Sequence, residues 1–73
     1  MTEKQMILAA VDHAGSSSQE ASKEAMQDLL DNGHRCVELF DAEDRKWYRL
    51  NVGQLPYMGN KSARLAIDAR FVE

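Results

Sequence analysis

The feature that most limits the fold of this 73-residue chain is a change of hydrophobic period at Asn32-Gly33. Before this dipeptide, apolar residues recur at spacings of three and four, which is the period of an α-helix. After it, they alternate with polar residues, as in a half-buried β-strand. A chain of this length forms one domain. We therefore predict a single small two-layer α+β domain over residues 1–73, with a helical N-terminal half packed on an antiparallel sheet.

A helix is predicted over residues 18–32. Its apolar stripe consists of Ala21, Ala25, Met26, Leu29 and Leu30. Ser17 stands three residues before Glu20, and Ser16 three before Gln19, so both pairs fit the capping box that begins a helix. Gly33 supplies the left-handed residue that ends one. The opposite side is acidic and forms a second candidate contact surface, made of Glu20, Glu24, Asp28 and Asp31.

The segment 3–14 has two interpretations. Thr2 and Gln5 fit a capping box, and Ile7, Ala10 and Val11 lie at helical spacing, which favours a helix. An apolar run followed by a loop, a helix, a glycine and a strand is also how a βαβ unit begins, which favours a strand. The sequence leaves both alternatives open.

The C-terminal half predicts a sheet of about three strands, over residues 35–40, 47–52 and 63–71. With the hairpin turn centred between Glu43 and Asp44, the cross-strand pairs are Val37 with Leu50, Leu39 with Tyr48, Phe40 with Trp47, and Glu38 with Arg49. This register gives an apolar face, an aromatic pair and an opposite-charge pair together. The stretch from Gly53 to Lys61, which contains Pro56, is predicted to be a loop. Strict alternation predicts the third strand.

The outward face of this sheet is the candidate binding surface. Its aromatic and cationic members are Phe40, Trp47, Arg49, Arg64 and Arg70. Trp and Arg are enriched at the energetic centres of protein interfaces, and exposed apolar patches mark contacts. We therefore expect a small non-enzymatic protein-interaction module. It would act as a regulator or inhibitor, by binding or blocking a larger protein, or it would associate with itself as a homodimer.

The charge distribution raises a nucleic-acid alternative. Residues 1–44 hold three cations against ten anions, a balance of −7, and residues 45–73 hold six against two, a balance of +4. A basic sheet with aromatic residues can bind single-stranded nucleic acid. Two helices followed by a hairpin also resemble a shortened winged helix, with Arg45-Lys46 at the tip of the wing. Against this, the acidic residues of the predicted helix 18–32 would repel phosphates. The asymmetry also fits two halves that attract each other within one fold.

A remote alternative is a sugar-phosphate isomerase. Asp12-His13-Ala14-Gly15, followed by a helix and Gly33-His34, resembles the opening of the B-type ribose-5-phosphate isomerases over residues 6–40. The resemblance implies a first strand before Asp12 and a sugar-phosphate site at Asp12-His13. The chain departs from that family because it has no later glycine-rich phosphate loop and is about half the length such a domain needs.

Other chemistry has little support in the sequence, and we expect no catalytic residue, no metal and no cofactor. The spacing of His13, His34 and Cys36 matches no paired zinc pattern. A single cysteine excludes a disulfide within the chain and fits a reducing compartment. No apolar run approaches the ~20 residues of a membrane span, and the first residues do not form a signal-peptide pattern. We expect a cytoplasmic protein without a membrane partner.

Overall fold

The computed structural model describes residues 2–11 and 19–72. Its elements in chain order are helix α1 (Glu3–Ala10), helix α2 (Gln19–Asp31), strand β1 (Cys36–Asp41), strand β2 (Lys46–Asn51), two 3₁₀ segments (Val52–Tyr57 and Gly59–Lys61), the short helix α3 (Ser62–Leu65) and strand β3 (Ala69–Phe71). The three strands form one antiparallel sheet in the order β2-β1-β3. This arrangement confirms the α+β class. None of the helices in residues 2–11 and 19–72 combines the length and the hydropathy that a membrane span requires.

The N-terminal segment is a helix. Thr2 Oγ1 accepts a hydrogen bond from the Gln5 backbone at 3.2 Å, and Gln5 Oε1 accepts one from the Thr2 backbone at 2.9 Å, which completes the expected capping box. Ile7 and Ala10 are fully buried. The strand alternative is therefore wrong, and with it the first strand that the isomerase resemblance implies.

Helix α2 forms where the sequence predicts it, but its buried stripe is rotated. Leu29 is buried as expected, whereas Ala21 and Leu30 are exposed and Ser22 is buried in their place. Ser22 is tolerated there because its hydroxyl donates a hydrogen bond to the Val11 carbonyl at 3.3 Å. The expected capping boxes at Ser16 and Ser17 lie outside the described residues.

The C-terminus of α2 ends as predicted at a left-handed glycine, since Gly33 has a φ of 87°. The Gly33 amide donates to the Leu30 carbonyl at 3.0 Å, and the His34 amide donates to the Leu29 carbonyl at 2.9 Å. This pair of bonds is a Schellman motif. The His34 ring stacks on Phe71, with centroids 3.8 Å apart, and thereby links the end of α2 to β3.

The hairpin register is confirmed residue by residue. Phe40 lies opposite Trp47, Glu38 opposite Arg49, and Val37 opposite Leu50. The inward side chains of β1 are completely buried. They pack against residues of both long helices, the first 3₁₀ segment, α3 and β3. The core consists of Ile7, Ala10, Val11, Leu29, Val37, Leu39, Val52, Leu55, Leu65 and Ala69.

The third strand is much shorter than the predicted 63–71. Ser62–Leu65 is a helical turn, and only Ala69–Phe71 pairs with β1. Leu65 and Ala69 are buried four residues apart, whereas Ile67, which the alternation places inward, is 47% exposed. The alternation fails because Ala, Arg and Leu also favour helices, and a helical turn buries Leu65 equally well.

The predicted loop from Gly53 to Lys61 is a pair of 3₁₀ segments rather than an irregular connection. The first of them contributes to the core, because Val52 and Leu55 are fully buried and Pro56 is buried beside them. Asn51 begins this segment, and Gln54 Oε1 accepts a hydrogen bond from the Asn51 backbone at 3.2 Å. The segment therefore returns the chain from the end of β2 to the inner side of the sheet.

Candidate functional site

The outer face of the sheet, defined here by Phe40, Trp47, Arg49 and Arg70, carries an aromatic pair. The rings of Phe40 and Trp47 meet edge to face, with centroids 5.5 Å apart and planes at 68°, a geometry that aromatic pairs favour. Both side chains remain partly exposed. The two rings therefore cover part of the outer face and remain accessible to a partner.

Arg70 is held in place on this face. Its guanidinium carbon lies 3.9 Å from the centroid of the Trp47 ring, which is a cation–π contact. Its Nε also donates a hydrogen bond to Glu38 Oε1 at 2.7 Å. Arg49 lies opposite Glu38 on the other side of β1 and is exposed. Because Glu38 pairs with Arg70, the ion pairs of the described residues leave Arg49 without an acidic partner.

Arg64 is not a member of the outer face. The predicted strand 63–71 would turn it outward beside Arg70, but the helical turn of α3 brings it to the end of β1. Arg64 Nη2 lies 2.6 Å from Asp41 Oδ2, and its Nε donates to the same oxygen at 2.7 Å. The structure therefore brings together four of the five predicted contact residues and separates Arg64 from them.

Asp41 organises the hairpin turn. Its Oδ1 accepts hydrogen bonds from the backbone amides of Glu43 at 2.7 Å and Asp44 at 3.0 Å. Its side chain is only 2% exposed. The hydrogen bond from Arg64 and these backbone donors outweigh burial and lower the pKa of Asp41 to about 2. The same contact raises the pKa of Arg64, so Asp41 and Arg64 remain an ion pair across the ordinary pH range.

A groove lies on the inner side of β2, and sequence reasoning missed it. Tyr48 and Leu50 from β2 form one wall, Lys61 and Leu65 form the other, and the space between them is about 290 Å³. A second lobe of about 200 Å³ continues to Tyr57. These five residues define the β2 groove. The parity of Tyr48 and Leu50 places them inward, but treating residues 53–61 as a loop hides the opposite wall.

Tyr48 forms the rim of this groove beside the hairpin turn. Its side chain is 39% exposed, and its hydroxyl donates a hydrogen bond to Asp44 Oδ2 at 2.7 Å. That hydrogen bond raises the pKa of Tyr48, because ionisation would place two negative oxygens side by side. The phenol is therefore fixed in its neutral form as a hydrogen-bonded wall of the groove.

The residues that the sequence offers for metal binding or isomerase chemistry are His13, His34, Cys36 and Asp12. In residues 2–11 and 19–72, no three His, Cys, Asp or Glu side chains are grouped so that they could hold a metal ion. Cys36 Sγ lies 3.5 Å from Asn51 Oδ1 on the outer side of the sheet, as the register predicts. Asp12 and His13, which carry the isomerase resemblance, lie outside the described residues.

Comparisons with protein-family models, with curated proteins and with solved structures find no match for this chain. Its function has therefore to be inferred from its own surfaces. In the part of the chain that the structure describes, the outer face and the β2 groove each have a defined arrangement of aromatic and charged side chains, and strand β2 contributes to both.

Proposed function

We propose that this chain is a small non-enzymatic protein-interaction module whose contact surface is the outer face. It binds or blocks a larger protein, or it associates with a second copy. The observation that carries the proposal is the partly exposed Trp47, which has Arg70 over its ring and packs edge to face with Phe40. The inward side chains of the sheet, Val37 and Leu39, already fill the core on the other side.

The composition of the outer face supports a protein partner. Trp and Arg contribute more binding energy than other residues in interfaces, and they do so near the centre of a well-packed patch. Here the ring of Trp47 is already oriented by its two neighbours, so little side-chain entropy is lost when a partner covers it. Arg49 supplies a charge that can pair with a partner carboxylate.

The test compares capture of partners and self-association between the wild type and two variants, Trp47→Ala and Arg49→Ala. Light scattering reports self-association, and a pull-down from the cells that express the chain identifies partners, which are then purified and tested again. Leu30→Ala and Lys4→Ala are matched controls, because both residues are exposed on the helices. We expect the two outer-face variants to lose assembly with an unchanged circular-dichroism spectrum. Assembly that persists in both would contradict the proposal.

Single-stranded nucleic acid remains the second candidate, but two of its expected cations are engaged elsewhere. Arg64 is surrounded by Asp41, Glu43 and Asp44, and Arg70 pairs with Glu38. A phosphate backbone would have to compete with those carboxylates. A mobility shift with labelled single-stranded DNA and RNA at ~50 mM salt decides between the two candidates, because nucleic-acid binding is strongest at low salt.

The proposal that the chain is not an enzyme is tested against the one resemblance that names a reaction. Pentose phosphates are incubated with the purified chain, and their isomerisation is followed. We expect the rate of the blank. A rate above the blank that His13→Ala abolishes would replace the binding proposal with an isomerase.

A further inference from the structure

Strand β2 is at the edge of the sheet, and the direction of its backbone groups can be read from neighbouring hydrogen bonds. The Val52 amide donates to the Arg35 carbonyl at 2.8 Å, so residue 52 points toward β1. Antiparallel strands alternate this direction at every residue. The N–H and C=O groups of Trp47 and Arg49 therefore point away from the sheet. The Asn51 amide does so too, and the Gln54 side chain caps it.

An unpaired strand edge is a template for a further strand. At one end of β2, the Gln54 side chain already occupies the Asn51 amide. At the other end, Arg45 has a φ of 54° and turns the chain out of the strand. The open stretch between them covers residues 46–50. Two residues in it, Trp47 and Arg49, present unsatisfied donors and acceptors at the spacing that an extended peptide needs.

The β2 groove lies directly beside this edge. Tyr48 and Leu50 point into it from β2, so a strand added to β2 would place every second side chain over the same groove. Leu65 and Tyr57 offer these side chains an apolar contact. Backbone pairing and side-chain pockets are the two parts of recognition by strand addition.

The charge of the edge and groove selects the partner. Asp41 and Asp44, the carboxylates at the turn end of the groove, pair with Arg64. Lys46, Arg49 and Lys61 are exposed, and the ion pairs of the described residues do not include them. A second copy would bring Lys46 and Arg49 of its own β2 to this edge, and residues 46–50 hold no carboxylate that could pair with them. A peptide strand whose carboxylates lie on the outer side, beside Trp47 and Arg49, would instead supply a partner for Arg49 while its other side chains cover the groove.

From the edge, the groove and the charge together, we infer that β2 binds an extended acidic peptide segment of another protein as a fourth strand. Alternate apolar side chains of this segment occupy the β2 groove. The site shares Arg49 with the outer face, but it is built from the backbone of β2 and the β2 groove rather than from the Phe40–Trp47 pair. Phe40→Ala, on the central strand and away from the edge, should impair assembly through the outer face but keep peptide affinity within about twofold, so failure of the outer-face proposal and failure of this one are distinguishable.

The probe is a fluorescein-labelled seven-residue peptide of alternating glutamate and leucine, followed by fluorescence anisotropy. Arg49→Glu should weaken its binding about fivefold or more, because an attraction to the glutamates on the outer side becomes a repulsion. Lys4→Glu makes the same charge change on α1 and should have no effect. A peptide with lysine in place of glutamate should not bind. Equal loss in both variants, or equal binding of both peptides, would overturn the acidic partner.

Backbone pairing is tested without changing the protein. Two versions of the peptide are N-methylated, one at every leucine and the other at every glutamate. Only one set of amides faces β2, so one version should lose more than about tenfold in affinity and the other should keep most of it. Equal affinity of the two versions would overturn strand addition.

Amide hydrogen exchange locates the added strand. In the free protein, Tyr48 and Leu50 should be protected, and Trp47 and Arg49 should exchange fast. Saturating peptide should protect Trp47 and Arg49 as well. Exchange that stays fast at these two amides would overturn the inference. Protection of the same amides without peptide, together with a dimer in light scattering, would assign the edge to a second copy instead.

Discussion

Truncation of Leu55 tests whether the segment after β2 belongs to the core. Leu55 is fully buried in the first 3₁₀ segment, in a stretch that the sequence predicts to be a loop. Leu-to-Ala changes at buried sites cost about 3–5 kcal/mol, since they remove apolar contacts and leave a cavity. A chain of 73 residues has a total free energy of unfolding of about 4–11 kcal/mol. Leu55→Ala should therefore remove a large share of it.

The measurement is urea unfolding followed by the fluorescence of Trp47, the single tryptophan of the chain. Leu30→Ala is the matched control, because Leu30 is 37% exposed on α2 and should cost under about 1 kcal/mol. In thermal unfolding, a loss of 3 kcal/mol corresponds to a midpoint lower by roughly 12–24 °C for a domain of this size. Equal costs for the two variants would refute the assignment of Leu55 to the core.

Two further changes test the turns. Gly33→Ala should destabilise the chain by about 1 kcal/mol in urea unfolding, because its φ of 87° is strained for any residue with a Cβ. Gly53→Ala, which also has open space for a Cβ but no positive φ, should cost less than a few tenths of a kcal/mol or stabilise; equal costs would contradict the strain. Asp41 has a folded pKa of about 2 against 3.8 for the unconstrained carboxyl, so its contribution to stability is present above pH 3.8 and is lost as pH falls through 2. Carboxyl carbon NMR should give a midpoint near 2 that Arg64→Gln raises toward 3.8, and a wild-type midpoint near 3.8 would contradict the buried ion pair.

The hairpin is the part of the fold that the sequence predicts in most detail. One register satisfies the apolar face, the Phe40–Trp47 pair and the Glu38–Arg49 pair at the same time, and a slip by one residue would break all three. Several independent constraints that agree leave a single solution. Phe40, Trp47 and Arg49 all belong to the hairpin, so the same register predicts that they lie together on the outer face.

The segment after the hairpin was predicted less well because its structure depends on partners distant in sequence. Alternation from Ala63 to Phe71 fits a strand and also permits a helical turn. The contact between Arg64 and Asp41, 23 residues apart, favours the helical turn. A contact over this distance gives no signal in the hydrophobic pattern of the sequence. The burial of Leu55 likewise depends on packing against elements elsewhere in the chain. The β2 groove is built from this same segment, so it too is absent from the sequence pattern.

The turn at Asp41 is common to both proposed surfaces. Alternation gives Trp47 and Arg49 to the outer face, and it gives Tyr48 and Leu50 to the β2 groove. A shift of one residue in the hairpin would exchange the two sets. The Asp41 carboxylate accepts hydrogen bonds from two backbone amides of the turn and from Arg64 of α3. These hydrogen bonds fix the register on which both surfaces depend. A variant at Phe40 should therefore impair the outer face only, whereas loss of the Asp41 carboxylate should impair both surfaces together.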